Sequence, residues 1–174
     1  LPNLALLMAF DQNLVDAEIC FYKMARSDFK LLDFFKRYGT DTTTNFQLMK
    51  WAKELKIRNF HVLMRDEIKS IKKKSSCSAI CNLHTKEQDG VHWSCLYKTP
   101  EISYYFDSYG LIPTKEVEVV LSKPYIYSTF QLQTNEKFCG VLCLYVLYEL
   151  SNGGQFEDIV LDIYDSLNFN KPAA

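Results

Sequence analysis

The chain has 174 residues, 48% of them hydrophobic, and a formal net charge of −1. This length and apolar content predict one domain with a substantial core, and they exclude the disordered and fibrous classes of protein. The net charge gives no global reason to expect tight binding to DNA or to a membrane surface. Six cysteines in a chain of this size do not form a disulfide framework, so we expect reduced thiols in an intracellular compartment.

The first third of the chain is predicted to be helical. Residues 1 to about 38 form a first helical region, because apolar side chains recur at three- and four-residue spacing from Asp16 to Phe35. Gly39 and the Thr-rich segment after it predict a helix stop, a loop and N-caps. Apolar residues from Phe46 to Leu55 mark a second helix, and a short apolar segment runs from Phe60 to Met64.

The next segment is a run of charge, from Lys72 to Lys74, followed by two serines. Such a run is typical of a solvated turn, and the alternative is a local contact with a polyanion.

From Cys77 the pattern becomes strand-like. Short apolar runs at Ser78 to Leu83, Val91 to Tyr97 and Ile102 to Phe106 are separated by turn residues. The last two runs are predicted to form a hairpin. That hairpin brings His92 to one end of the sheet and places Asp107 on the neighbouring strand.

The last third alternates between helix and strand. We predict a helix over 115–121, a strand from Tyr125 to Gln133, a helix from Phe138 to Leu150 and a closing helix from Phe156 to Leu167. The helix beginning at Phe138 is apolar on all sides, which is typical of a buried helix. The whole pattern predicts an α+β fold in which helices pack on a small mixed or antiparallel sheet.

Cys139 stands at the start of that buried helix and is followed by Gly140. The positive end of the helix dipole favours a thiolate there, and a glycine lets a substrate backbone approach closely. The structural alternative is an ordinary core cysteine, which is what we expect of Cys143 and Cys20.

Three more side chains complete a series that a thiol hydrolase requires. His92 precedes Trp93, whose ring can shield a thiolate–imidazolium pair from water, and Asp107 can orient the imidazole. Gln133 can donate its amide to an oxyanion, together with the Cys139 backbone N–H. Each residue alone has a structural explanation, but the ordered set predicts a cysteine protease.

This order, with Trp after the His and a Q-x5-C-G spacing, resembles the adenain and SUMO-protease group of cysteine peptidases. The resemblance covers roughly Asn45 to Leu161 and is strongest to the maturation proteases of virophages and Polinton (Maverick) elements. The blocks that carry it are Asn59–Glu67, Gly90–Trp93, Tyr105–Gly110 and Cys139–Leu147.

The resemblance implies an adenain-like (papain-like) fold with the nucleophile at the N-terminus of a buried central helix. It implies that Cys139 is the nucleophile, His92 the general base and acid, Asp107 the orienting residue and Gln133 the oxyanion donor. Trp93 and Gly140 would bind substrate. His61 stands where relatives often have Gly, and Val141 where they often have His.

The resemblance also implies biological roles. The substrates would be capsid or other virion precursors, cut after Gly or Ala inside the infected host, in a virus factory or nucleus, by an enzyme packaged in the virion. Adenain uses DNA and a viral peptide as cofactors, so DNA or an activating peptide stays an open alternative here, although the net charge of −1 does not support DNA dependence. We predict a monomer without a cofactor. It has one domain over 1–174, in which residues 1–40 form a helical extension and residues 45–165 the catalytic core.

Three other functions remain open at this stage. A SUMO- or ubiquitin-like modifier protease would share the site, a YopJ-type acetyltransferase would use the same side chains with acetyl-CoA, and a non-catalytic capsid or scaffold component could retain the fold. Zinc binding by Cys77, Cys81 and His84 lacks a fourth ligand, so no metal site is predicted.

Overall fold

The computed structural model describes residues 30–72, 75–134 and 137–169. Its centre is a five-stranded mixed sheet in the spatial order of the chain: β1 (Phe60–Leu63), β2 (Cys77–Asn82), β3 (Trp93–Lys98), β4 (Ser103–Asp107) and β5 (Tyr125–Tyr127). The two outer pairs are parallel and the inner pairs antiparallel. The predicted β3–β4 hairpin is confirmed, with Ser94 opposite Asp107.

Helices cover both faces of the sheet. They are α1 (30–38), α2 (Asn45–Glu54), a 3-10 helix (Arg65–Ser70), α3 (Lys115–Val120), α4 (Cys139–Ser151) and α5 (Phe156–Phe169). Helix α4 is central: it packs across β2, β3 and β4, and ten of its thirteen residues are buried, as its uniformly apolar sequence predicts. Helices α1, α2, α4 and α5 share one apolar core, while the 3-10 helix and α3 share a smaller core on the other face.

Helix α1 packs directly against the start of α4. The rings of Phe35 and Phe138 lie 5.2 Å apart, and those of Phe34 and Tyr145 lie 5.3 Å apart. Because Phe138 precedes Cys139, α1 supports the first turn of the helix that carries the cysteine. The earlier part of the predicted N-terminal helix, and Cys20 within it, lie outside the described residues.

The predicted strand from Tyr125 to Gln133 is wrong beyond Tyr127, where β5 ends. Beyond that point the chain is held by the loop after β4: the Ser108 carbonyl accepts the N–H groups of Leu132 and Gln133 at 2.8 and 2.9 Å. Gly110 has a φ of +72°, and a Cβ there would collide with the Thr129 carbonyl. Leu132 and Gln133 therefore hydrogen-bond to the loop after β4, and β5 does not extend to them.

Helix α2 buries a narrower face than its apolar residues suggest. Phe46 is 81% exposed and Met49 is 48% exposed, whereas Leu48 and Ala52 are buried. A capping box between Thr44 and Gln47 begins this helix. The capping box fixes where the loop after α1 ends and α2 begins.

Candidate active site

Cys139 is the first residue of α4 and is 8% exposed. Its sulfur therefore lies at the positive end of a thirteen-residue helix, where negative charge is favoured. Sequence analysis places the nucleophile at this position, and the structure provides the buried helix on which the placement depends.

His92 and Asp107 meet across the hairpin. The Nε2–H of His92 donates to Oδ1 of Asp107 at 3.0 Å, and both side chains are buried. Burial alone would lower the pKa of His92, but hydrogen bonds to Asp107 and Cys139 and their negative charges raise it to about 9. Because Nε2 is bound to Asp107, Nδ1 is the ring nitrogen available for proton exchange with the Cys139 side chain.

The Asp107 carboxylate is itself fixed by the loop that follows β4. Its Oδ1 also accepts the backbone N–H of Tyr109 at 2.8 Å, and Asp107 has no exposed surface. The ring of Tyr109 packs on the imidazole of His92, with centroids 4.5 Å apart and planes inclined by 38°. The imidazole is thus held by a hydrogen bond at one edge and by an aromatic ring against its face.

Gln133 is bound to Ser108, the residue that follows Asp107. Its side-chain oxygen accepts the Ser108 hydroxyl at 2.9 Å, and its backbone N–H donates to the Ser108 carbonyl. Gln133 is 1% exposed, so this bond sets the orientation of the amide. With the oxygen turned to Ser108, the NH₂ group is the part of the amide that can donate to an oxyanion.

Trp93 and Gly140 pack against the loop between α1 and α2. The Trp93 indole donates to the Thr43 carbonyl at 3.1 Å. A Cβ on Gly140 would collide with the Thr43 side chain and lie 3.1 Å from Cδ1 of Trp93. Glycine is therefore needed at position 140, because the Thr43 side chain occupies the space that a Cβ would fill.

An open groove of about 330 Å³ runs beside Cys139. Its walls are formed by Trp93, by the 42–45 loop, by Met64 at the end of β1, and by Gly90 and Val91 before β3. The groove leads to the cysteine, which gives an extended peptide a path to the sulfur.

Sequence analysis missed three residues of the site. Ser108 and Tyr109 directly follow Asp107, so their place in the chain was a signal that could have found them. Thr43 is 50 residues from Trp93 and 97 from Gly140, and no local pattern indicates it.

The described part of the chain contains four other thiols and another hydrogen-bonded imidazole. Cys77, Cys81, Cys95 and Cys143 are buried free thiols, and the His84 ring hydrogen-bonds the Asp89 carbonyl. Within the described ranges, no group of three or more His, Cys, Asp or Glu side chains is placed to hold a metal ion. No helix in those ranges is both long and apolar enough to cross a membrane.

Comparison with known proteins finds similarity in structure. No protein-family model and no curated protein sequence matches the chain. The crystal structure of selenomethionine ASFV pS273R protease matches with a TM-score of 0.50 and 13% identity, over 79% of this chain and 71% of that one. A second crystal structure of ASFV pS273R protease gives a TM-score of 0.49 and 16% identity, over 79% and 70% of the two chains. The chain therefore has the α+β, adenain-like fold of the ASFV pS273R protease structure, as the sequence predicts.

Proposed function

We propose that this chain is a viral-type cysteine endopeptidase that cleaves capsid or other virion precursor proteins after Gly or Ala during particle maturation. The observation that carries the proposal is the 3.0 Å contact between His92 and Asp107, made where His92 also interacts with Cys139, the first residue of a buried helix. The resemblance of the catalytic block to virophage and Polinton proteases supports the choice of substrate.

The reaction follows from this arrangement. The Cys139 thiolate attacks the peptide carbonyl, and the oxyanion accepts hydrogen bonds from Gln133 and the Cys139 N–H. The imidazolium of His92 gives its proton to the leaving amine, which departs and leaves a thioester. His92 then takes a proton from water, whose oxygen hydrolyses the thioester and restores the thiolate.

The raised pKa of His92 suits both proton transfers. With a pKa of about 9, the imidazole carries its proton at neutral pH and is ready to donate to the amine. Because Nε2 of His92 is hydrogen-bonded to Asp107, Nδ1 is the ring nitrogen that transfers the proton.

Small residues before the cut are proposed on the shape of the site. Gly140 packs tightly against Thr43 and Trp93, so the backbone near the sulfur has little room for a bulky substrate side chain. We propose a monomer that acts in the infected host and enters the virion with its substrates.

The test is cleavage-site profiling by mass spectrometry with a proteome-derived peptide library. Wild type, Cys139→Ala and Cys77→Ala are compared, because Cys77 is a buried thiol at the opposite end of the sheet. We expect cuts after Gly or Ala with wild type and Cys77→Ala, and none with Cys139→Ala. Cuts that persist in Cys139→Ala would refute the assignment. Folded ubiquitin-like conjugates are incubated in parallel, and their cleavage without cuts in the peptide library would indicate a modifier protease instead.

A further inference from the structure

A second concave site lies at the end of the sheet opposite Cys139. It has a volume of about 750 Å³ and is bounded by the ends of α2, β3 and α4 and by the start of β2. We call it the basal pocket and define it by Lys56, Arg58, Asn59, Ser76, Lys98 and Asn152. Because Cys139 begins the thirteen residues of α4 and Asn152 follows them, the two sites are separated by about 20 Å of helix.

The basal pocket carries positive charge without a compensating carboxylate. Lys56, Arg58 and Lys98 line it, and none of its lining residues is Asp or Glu. Within the described ranges, none of the three cations forms an ion pair. Lys98 is 1% exposed and its ammonium donates to the Lys72 carbonyl at 2.9 Å. A buried cation without a carboxylate partner is costly, and an anion in the pocket would offset that cost.

The backbone at Lys56 gives an independent reason to suspect a binding role. Lys56 follows Leu55, the C-cap of α2, with a φ of +58°, and the next N–H, of Ile57, donates to the Ala52 carbonyl. This is the left-handed position that glycine normally occupies after a helix, and a side chain there costs about 1 kcal/mol. A strained lysine at such a position indicates that its side chain is used.

Helix dipoles alone do not explain that lysine. The negative ends of α2 and α4 lie at the basal pocket and attract cations. However, Lys53 already supplies a basic side chain in the last turn of α2 with ordinary helical geometry. The strain at Lys56 therefore needs a different reason.

The charge of the chain is also unevenly distributed. Residues 50–74 contain nine Lys and Arg against three Asp and Glu, a net charge of +6 in a chain whose net charge is −1. This segment includes the second half of α2, β1, the 3-10 helix and the Lys72–Lys74 run, and the Lys72 carbonyl accepts a hydrogen bond from the Lys98 ammonium. The near-zero total net charge thus conceals a basic stretch of the chain, and Lys56 and Arg58 of that stretch line the basal pocket.

We propose that the basal pocket binds a compact, phosphate-bearing anion. A guanidinium and two ammonium groups are the side chains that recognise phosphate oxygens, and the hydroxyl and amide groups of Ser76, Asn59 and Asn152 add hydrogen-bonding capacity. The volume lies in the range of small-ligand sites. This proposal does not depend on the protease activity, since binding can be measured without it.

The test is thermal unfolding and calorimetric titration of the full chain with sodium tripolyphosphate, at an ionic strength kept constant with NaCl. For wild type we expect the unfolding temperature to rise by roughly 5–10 °C when tripolyphosphate is at one hundred times its Kd. Lys56→Gly should unfold at the wild-type temperature or above without ligand, because glycine relieves the left-handed strain, yet bind about tenfold more weakly. Arg58→Gln should weaken binding by a similar factor.

Lys115→Ala is the matched control, since it removes an exposed lysine outside the basal pocket and should keep the wild-type shift. No shift in wild type, or an unchanged Kd in both Lys56→Gly and Arg58→Gln, would overturn the proposal. A single-stranded oligonucleotide is titrated in parallel. Stabilisation by the oligonucleotide alone would mean that a wide basic surface, and not the pocket, is the site, which also overturns the proposal.

Discussion

Replacing Gly140 with Ala should damage both the fold and the site. In most helices this substitution stabilises, because alanine exceeds glycine in helix propensity by about 1 kcal/mol. Here the added Cβ would collide with the Thr43 side chain and lie 3.1 Å from Cδ1 of Trp93. Thr43 cannot move freely, because its carbonyl holds the Trp93 indole and its hydroxyl is buried.

The two opposing effects can be compared. Overpacking a tight site costs about 1–3 kcal/mol, and the direct collision with Thr43 places Gly140→Ala in the upper part of that range, at about 2–3 kcal/mol, which exceeds the propensity gain. We expect a net loss of about 1–2 kcal/mol, which for a chain of this size lowers the unfolding temperature by about 2–8 °C. A displacement of about 1 Å at the neighbouring Cys139 would also lower kcat/KM by about a hundredfold.

Calorimetry and peptide cleavage measure the two effects separately, and a second substitution tests their cause. Thr43→Gly removes both Thr43 atoms that the new methyl meets, so Gly140→Ala with Thr43→Gly should recover at least about 1 kcal/mol relative to additivity. Thr40→Gly introduces the same flexibility in the same loop, away from this contact, and should not rescue. Wild-type stability and activity in Gly140→Ala, or equal rescue by Thr40→Gly, would refute the reasoning.

Three further predictions concern the hydrogen-bonded groups of the site. The pKa of His92 is raised from 6.5 to about 9, so its contribution to stability is complete below pH 6.5 and is lost as pH rises through 9. Unfolding temperatures measured across this pH range should fall in wild type and change less in His92→Gln, and identical profiles would contradict the prediction. Asp107→Asn removes the charge that orients the imidazole and should lower kcat/KM by about 10²- to 10⁴-fold, whereas a loss below tenfold would argue against the assigned role. Ser108→Ala removes one hydrogen bond to the Gln133 amide and should lower kcat/KM by roughly 2- to 10-fold, whereas Gln133→Ala should lower it by about 10²- to 10³-fold. Equal losses in the two variants would show that Ser108 does more than orient the amide.

The local elements were predictable because their signals lie within a few residues. The hairpin that joins His92 to Asp107 follows from two short β-rich runs separated by turn residues, and the buried helix α4 follows from its uniformly apolar sequence. The predicted length of β5 was wrong because β-forming residues continue past Tyr127, while the contacts that end the strand come from Ser108 and Gly110 in a distant loop.

The sequence by itself determined the chemical groups and their order, since residue types and spacing along the chain require no folding to be read. Only the tertiary structure decided which groups touch. The bond between Ser108 and Gln133 spans 25 residues and the one between Trp93 and Thr43 spans 50. Lys56, Arg58 and Lys98 come together only because α2, β3 and α4 end at one pocket. Such contacts depend on how the sheet and helices pack in three dimensions, and local periodicity carries no information about that packing.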